Sequence, residues 1–217
     1  MNRGVSELRP FDDTFRAHLR DLFRWRRDVR RFRPEPLPAN TLEYLIEVAC
    51  LSPSVGLSQP WRFVVVDDLS RRQTVREEFR RCNADALKSY SGALAARYAE
   101  LKLAGLDEAP CQFAVFADCG TEFGHRLGRR TMPETAAYSV VTAVAMMWLA
   151  ARAEGIGMGW VSILEPVRMN DILDVPRAWQ FIGYFCLGYP QLESDQPELE
   201  RLGWERRQGK NACIVRR

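Results

Sequence analysis

Residues 24–33 read R-W-R-R-D-V-R-R-F-R, six arginines and a single acid, Asp28, within ten positions. The whole chain carries a formal net charge of only +3, so this basic signal is local. Guanidinium groups crowded in this way repel one another unless an anion neutralises them or water and salt screen them. The stretch is therefore either a solvated basic face or a seat for an anion: nucleic acid, a membrane surface or a phosphorylated cofactor. Trp25, Val29 and Phe32 interleave with the arginines, which predicts that one side is packed. Asp28, surrounded by cations, is expected to have a depressed pKa and a fixed carboxylate. Such a group is a candidate proton acceptor or orienter.

Working outward, the 217 residues are 47% hydrophobic and 27% charged, the composition of an ordinary globular domain with a substantial core. The low net charge argues against a protein that lives on nucleic acid. Six cysteines are scattered without a C-x-x-C pair, which fits a reducing cytoplasm better than a disulfide framework. The first ten residues lack the apolar core of a signal peptide, and no uninterrupted apolar run reaches bilayer-spanning length. A cytoplasmic location without membrane attachment is expected. The only histidines, His18 and His125, belong to no zinc-binding spacing, and there is no G-x-S-x-G elbow. No metal site is expected.

A helix is predicted over residues 14–25, followed by a connector held extended by Pro34, Pro36 and Pro38. A second helix opens at Asn40, read as an N-cap with Glu43 as capping-box partner. It runs into the shaped loop S-P-S-V-G-L-S-Q-P-W at residues 52–61. Buried strands are predicted at residues 62–66 and 112–117. The polar helical stretch between them, broken near Asn83 and weakened at Ser89 to Gly92, reads as a lid or peripheral excursion. Thr131 and Glu134 suggest a capping box, or Met132 a cap with Pro133 in the first turn, for a helix that is apolar nearly all round from Ala136 to Ala151. Such a helix must be covered on every side, which points to a central position shared with a second subunit. Further strands are expected at residues 160–164 and 181–187, with a short helix at residues 168–173 between them. Strands interleaved with helices, without repeats or a linker, give one α/β or α+β domain over residues 1–217.

The run Gly155-Ile156-Gly157-Met158-Gly159 joins a helix to a strand and lacks the G-x-G-x-x-G order of a dinucleotide fingerprint. Gly155 suits a helix C-cap. The alternating glycines leave two readings open, a tight turn or a flat ligand lying against the backbone.

An R-R-x-x-R run after a first helix, a proline-spaced connector and a helix ending in S-P-S-x-G-x-x-Q-P-W together resemble the nitroreductase-like flavoprotein family. Within it, R-R-D-V-R-R-F, S-P-S-V-G-L-S-Q-P-W, L-K-L-A-G-L-D-E-A-P, T-M-P-E-T-A-A-Y-S and G-M-G-W-V-S-I-L are similar to one branch. That branch converts reduced FMN and O2 to 5,6-dimethylbenzimidazole, the lower ligand of vitamin B12. Ordinary nitroreductases carry serine at the position of Asp28 and lack G-W-V-S. The resemblance implies an α+β nitroreductase-like fold, with a central mixed sheet of about four to five strands flanked by helices. It also implies an intertwined homodimer with FMN at the subunit interface.

By the same resemblance Arg26, Arg27 and Arg30 would hold the FMN phosphate and ribityl chain, with Asp28 and Val29 beside them. Ser162 would lie near the flavin ring, and Gly159, Trp160 and Val161 would also bind the cofactor. Pro53, Ser54, Val55 and Ser58 would add contacts, Arg206 and Arg207 would reach the phosphate, and residues 98–106, within a lid region at 69–108, would close the site. Asp28 would act as acid or base and Ser162 as hydrogen-bond donor or proton relay. A separate flavin reductase would supply the reduced FMN. The rival readings are an NAD(P)H-dependent nitroreductase or flavin reductase on the same fold, and a basic nucleic-acid-binding module.

Overall fold

The computed structural model describes residues 10–209 and 213–217; all but the last of the ten residues considered for a signal-peptide core lie outside the described residues. In chain order these form α1 (Asp13–Trp25), α2 (Thr41–Ala49), β1 (Trp61–Val65), α3 (Leu69–Leu87), α4 (Gly92–Glu100), β2 (Cys111–Asp118), α5 (Thr135–Ala153), β3 (Gly157–Val161), α6 (Pro166–Leu173), β4 (Trp179–Gly188) and α7 (Glu198–Arg201), with two short 3-10 turns.

The four strands make one sheet in the order β1-β2-β4-β3, each neighbouring pair antiparallel. Its parallel component is a bridge between Asp28 and Met158, where the arginine segment runs beside β3. β2 and β4 read as continuous apolar runs because both of their faces are covered. Phe113, Val115 and Ala117 of β2, with Phe185 and Leu187 of β4, join the core formed with α2 and α5. Their alternates Ala114, Phe116, Tyr184 and Cys186 join a second core with α3, α6 and Leu106. This is the two-residue period of a strand filled on both sides.

α5 carries the first of these cores, burying residues such as Val140, Ala143, Val144 and Met147. By length and composition it could cross a bilayer, but here it lies on the sheet. Tyr138 and Val141 stay exposed on its outer face, as do Phe15, Phe23 and Trp25 of α1, a helix with no buried residue.

Local signals were displaced in identifiable ways. Asn40 adopts a left-handed conformation (φ 63°) and its side chain makes no capping hydrogen bond, so α2 starts without the expected box. α5 starts at Thr135, not at the predicted Thr131–Glu134 box, and the Thr135 hydroxyl donates back to the Met132 carbonyl at 2.6 Å. α3 runs unbroken through Asn83, whose side chain accepts from the Tyr98 hydroxyl at 2.7 Å; the break falls between Leu87 and Gly92. The third strand is Gly157–Val161, earlier than the predicted residues 160–164, because the glycines themselves pair with β4.

Candidate functional site

α1 ends where Arg26 leaves helical geometry (φ −69°, ψ 115°), and the chain then runs extended along the outer edge of β3. The Val29 N–H donates to the Met158 carbonyl at 3.1 Å, and the Arg33 N–H to the Tyr189 carbonyl at 2.8 Å. Phe32 anchors the segment from a fully buried position. This close passage explains the glycine run. A Cβ at Gly157 would press on the Val29 side chain, and one at Gly159 would run into the Val29 carbonyl oxygen. The surface that the sequence left open for a flat ligand is occupied by Val29 at these two positions, its side chain over Gly157 and its carbonyl over Gly159. Gly155 (φ 72°) closes α5 as expected.

Extended backbone splits the arginines between two sides. Arg24 pairs with Asp21 at 3.7 Å, Arg33 with Glu35 at 3.6 Å, and Arg31 with Glu198. Arg27 donates to the Asp195 carbonyl, and the Arg26 guanidinium lies over the Trp148 ring, 4.6 Å from its centroid. Only Arg30 bonds the acid directly, its Nε donating to Asp28 Oδ2 at 2.9 Å, while the Trp160 N–H donates to Oδ1 at 2.9 Å.

The expected depression of the Asp28 pKa is therefore corrected. Burial pushes the carboxyl up, Arg30, the Trp160 N–H and Arg26 oppose it, and the net direction is upward. Six neighbouring arginines in sequence do not make six neighbours in space, and desolvation wins. A carboxyl raised in this way changes protonation nearer neutral pH than an exposed aspartate, which suits acid–base work.

Arg26, Arg27, Asp28 and Arg30 line one wall of a cleft of about 160 Å³, with Pro197, Glu198 and Arg207 opposite. A wider opening of about 560 Å³ continues past Arg24, Arg27, Glu200 and Arg207. Burial lowers the pKa of both Arg26 and Arg27, and the Arg207 charge pushes each down further. This concave site holds an excess of positive charge that a phosphate would relieve.

The remaining predicted residues divide. Trp160 faces the cleft region through its backbone and packs on Trp148 and Phe185 at 6.3 and 5.2 Å. The Val161 side chain is buried in the second core, so only its backbone could meet a ligand. Ser162 follows directly after β3 and is exposed. Of the C-terminal pair, Arg207 lines the cleft, whereas Arg206 is exposed and lines neither opening.

The loop holding Pro53, Ser54, Val55 and Ser58 is fastened to the other end of α5. The Val55 N–H donates to Ser139 Oγ at 3.0 Å, and the Ser52 hydroxyl to Thr142 Oγ1 at 3.1 Å. The nine residue steps from Ser139 to Trp148 span about 14 Å of helix, so the loop and the arginine cleft lie at separate places on one chain. Ser54 Oγ accepts from the Gln59 N–H at 3.1 Å, Pro53 is exposed, and buried Ser58 Oγ has no hydrogen-bond partner among the described residues.

Sequence reasoning missed Trp148, whose Nε1 donates to the Arg27 carbonyl at 3.2 Å, and the wall at residues 195–199. A tryptophan inside an otherwise aliphatic helix was the available signal for the first. The acidic, proline-broken character of the second was visible, but nothing local tied it to the arginines.

The sequence profile described as the Nitroreductase family matches residues 23–189. A 5,6-dimethylbenzimidazole synthase of Rhodospirillum rubrum is 54% identical over 197 residues, spanning 91% of this chain and 93% of that protein. One from Rhodobacter capsulatus is 43% identical over 195 residues, spanning 90% and 94%. Among solved structures, an oxidised iodotyrosine deiodinase bound to FMN and 3-iodo-L-tyrosine superposes with a TM-score of 0.71 at 25% identity, covering 91% of this chain and 97% of that one.

Proposed function

The chain belongs to the nitroreductase family, and from that premise we propose that it is a 5,6-dimethylbenzimidazole synthase, converting reduced FMN and O2 to the lower ligand of vitamin B12. The observation that carries the reading is Asp28. A half-buried carboxyl with a raised pKa stands within a cationic cleft, in a chain 54% identical over 197 residues to a synthase of that name.

The residues present fit FMN. Arg26, Arg27 and Arg207 would hold its phosphate, since their mutual repulsion is the feature an anion relieves. Bound there, reduced FMN would supply both the electrons that reduce O2 and the carbon skeleton of the product. Asp28 takes up or releases a proton at a carboxyl oxygen, and burial raises its pKa above that of an exposed aspartate. The Trp160 N–H and Arg30 Nε hold that carboxyl in one orientation. Ser162 offers a hydroxyl near the same strand end for donation or relay. Residues 101–109 cross the Arg30–Phe32 run, where Arg30 Nη1 donates to the Lys102 carbonyl at 3.2 Å and Gly105 lies over the Phe32 ring.

The proposal includes a homodimer. Its support is the pair of half-sites separated along α5 and the apolar surface that α1 and α5 leave uncovered at Phe15, Phe23, Trp25, Tyr138 and Val141. A second copy would cover that surface and bring the Pro53–Ser58 loop of one chain to the cleft of the other. A separate reductase supplying reduced FMN, and a cytoplasmic location, belong to the same reading.

The test is to mix the protein with chemically reduced FMN in air and separate the products by chromatography. Formation of 5,6-dimethylbenzimidazole, abolished without oxygen, is expected. Rapid NAD(P)H oxidation with a nitroaromatic acceptor and no such product would favour a reductase instead. Salt-sensitive oligonucleotide binding without flavin binding would favour a nucleic-acid module.

A further inference from the structure

The segment from Leu101 to Ala109, between α4 and β2, covers the arginine run from one side. Its far end is pinned to the sheet. Leu106 and Ala109 are buried, and buried Gln112 donates to their carbonyls at 2.9 and 3.3 Å while accepting from the Tyr184 hydroxyl at 3.0 Å. Gly105 sits so close over the Phe32 ring that a Cβ would overlap it. The near end, Leu101–Ala104, is tied differently. Arg30 Nη1 donates to the Lys102 carbonyl at 3.2 Å, and the Lys102 ammonium pairs with Glu108 of the same segment. The other side of that guanidinium holds Asp28 Oδ2. Only 13% of the Arg30 side chain is exposed, so one buried fork joins the carboxyl to the covering chain.

We propose that Arg30 is a positioning residue that couples the seating of Leu101–Ala104 over the cleft to the charge on Asp28. Its significance for turnover rests on the role proposed for Asp28, but the coupling itself belongs to the FMN-free chain. With Asp28 ionised, the charge-assisted bond to Nε fixes the guanidinium plane and aims Nη1 at the Lys102 carbonyl. With Asp28 protonated, that bond weakens and the near end of the cover loses its aim. By linkage, lifting the cover must shift the protonation of Asp28 by the same free energy.

The groups facing Asp28 leave it as the titrating partner. Arg26 faces it from the end of α1, the Trp160 N–H from β3 and Arg30 from its own segment, while Arg27, Glu198 and Arg207 line the same cleft. The Cys186 thiol on β4, pushed far up by burial, stays neutral.

The test is amide hydrogen exchange on FMN-free protein across a pH series, corrected for the intrinsic pH dependence of exchange. In the native protein, protection of Leu101–Ala104 is expected to change through the titration of Asp28. Arg30→Gln should lower that protection roughly three- to tenfold, the range for losing one buried hydrogen bond, while β2 and β4 stay protected. Asp28→Asn, which keeps Arg30, should abolish the pH dependence. Arg30→Lys keeps the charge but not the fork, so it should lose protection as Arg30→Gln does. Unchanged protection in Arg30→Gln, or pH-dependent protection persisting in Asp28→Asn, overturns the coupling. If β2 and β4 lose protection in Arg30→Gln, the Asp28→Asn series alone decides. Because no turnover is measured, this result stands apart from whether 5,6-dimethylbenzimidazole is formed.

Discussion

Replacing Asp28 with asparagine separates holding the flavin from consuming it. The carboxyl accepts two hydrogen bonds at 2.9 Å, from the Trp160 N–H and from Arg30 Nε. Asparagine has one acceptor and one donor group, so one of those N–H groups meets another donor. The lost charge-assisted bond is worth about 1.5–3 kcal/mol. Against it stands the burial penalty of the carboxylate, which exceeds its compensation, since the pKa is raised. At pH 8 the two largely offset, so the Tm should stay within about 2–4 °C of the native value, the shift that about 1 kcal/mol makes in a chain of this size.

The sign with pH follows from the direction of the shift. A carboxyl whose folded pKa is raised contributes stability that is full below its unfolded value and lost as pH rises through the folded value. The stability advantage of the native protein over Asp28→Asn should therefore be larger at pH 4 than at pH 8. FMN retention, read by fluorescence titration, should survive, because Arg26, Arg27 and Arg207 remain. Product formation from reduced FMN in air, read by chromatography, should fall about 10²–10⁴-fold, the range for removing a positioned acid–base group. Normal product formation would remove Asp28 from the chemistry. Loss of FMN binding with an intact fold would make it a binding residue instead.

Three other outcomes follow from the same geometry. Gly159→Ala drives a methyl into the Val29 carbonyl, so it should cost about 1–3 kcal/mol by thermal unfolding and weaken FMN binding; an unchanged Tm would contradict the close passage. Arg207→Ala removes an exposed charge that repels Arg26 and Arg27, so stability should hold while FMN affinity drops about tenfold in an equilibrium titration; unchanged affinity would remove Arg207 from the phosphate seat. Glu78 is held at about 2 by Arg81, whose guanidinium donates to both carboxylate oxygens at 2.7 and 3.0 Å. This depressed group contributes stability above its ordinary value near 4.5 that is lost as pH falls toward 2. Glu78→Gln should therefore be less stable at neutral pH, with the difference closing in acid unfolding curves.

The apolar runs that became β2 and β4 were legible because both faces of those strands are buried, so their composition alone announces them. The all-round apolar character of α5 was legible for a related reason. The caps at Asn40 and Thr131 misled because a short polar side chain can serve a turn as well as a helix start, and here tertiary contacts set the first residue. The glycines of β3 could not be assigned from sequence, since what they accommodate is Val29, more than a hundred residues earlier. The Asp28 pKa was misread for the same kind of reason. The sequence lists the neighbouring arginines, whereas the titration depends on which of them turn away to Glu198 or the Asp195 carbonyl. Arg207 was reached through family resemblance, and no local pattern would have joined it to Arg26.

The central claim is that this chain consumes its flavin. It is tested most directly by a flavin mass balance in a single turnover, with reduced FMN stoichiometric with protein, exposed to oxygen, and FMN and 5,6-dimethylbenzimidazole quantified together. FMN lost in step with 5,6-dimethylbenzimidazole gained is the predicted result. Quantitative recovery of oxidised FMN, with no 5,6-dimethylbenzimidazole, would contradict it.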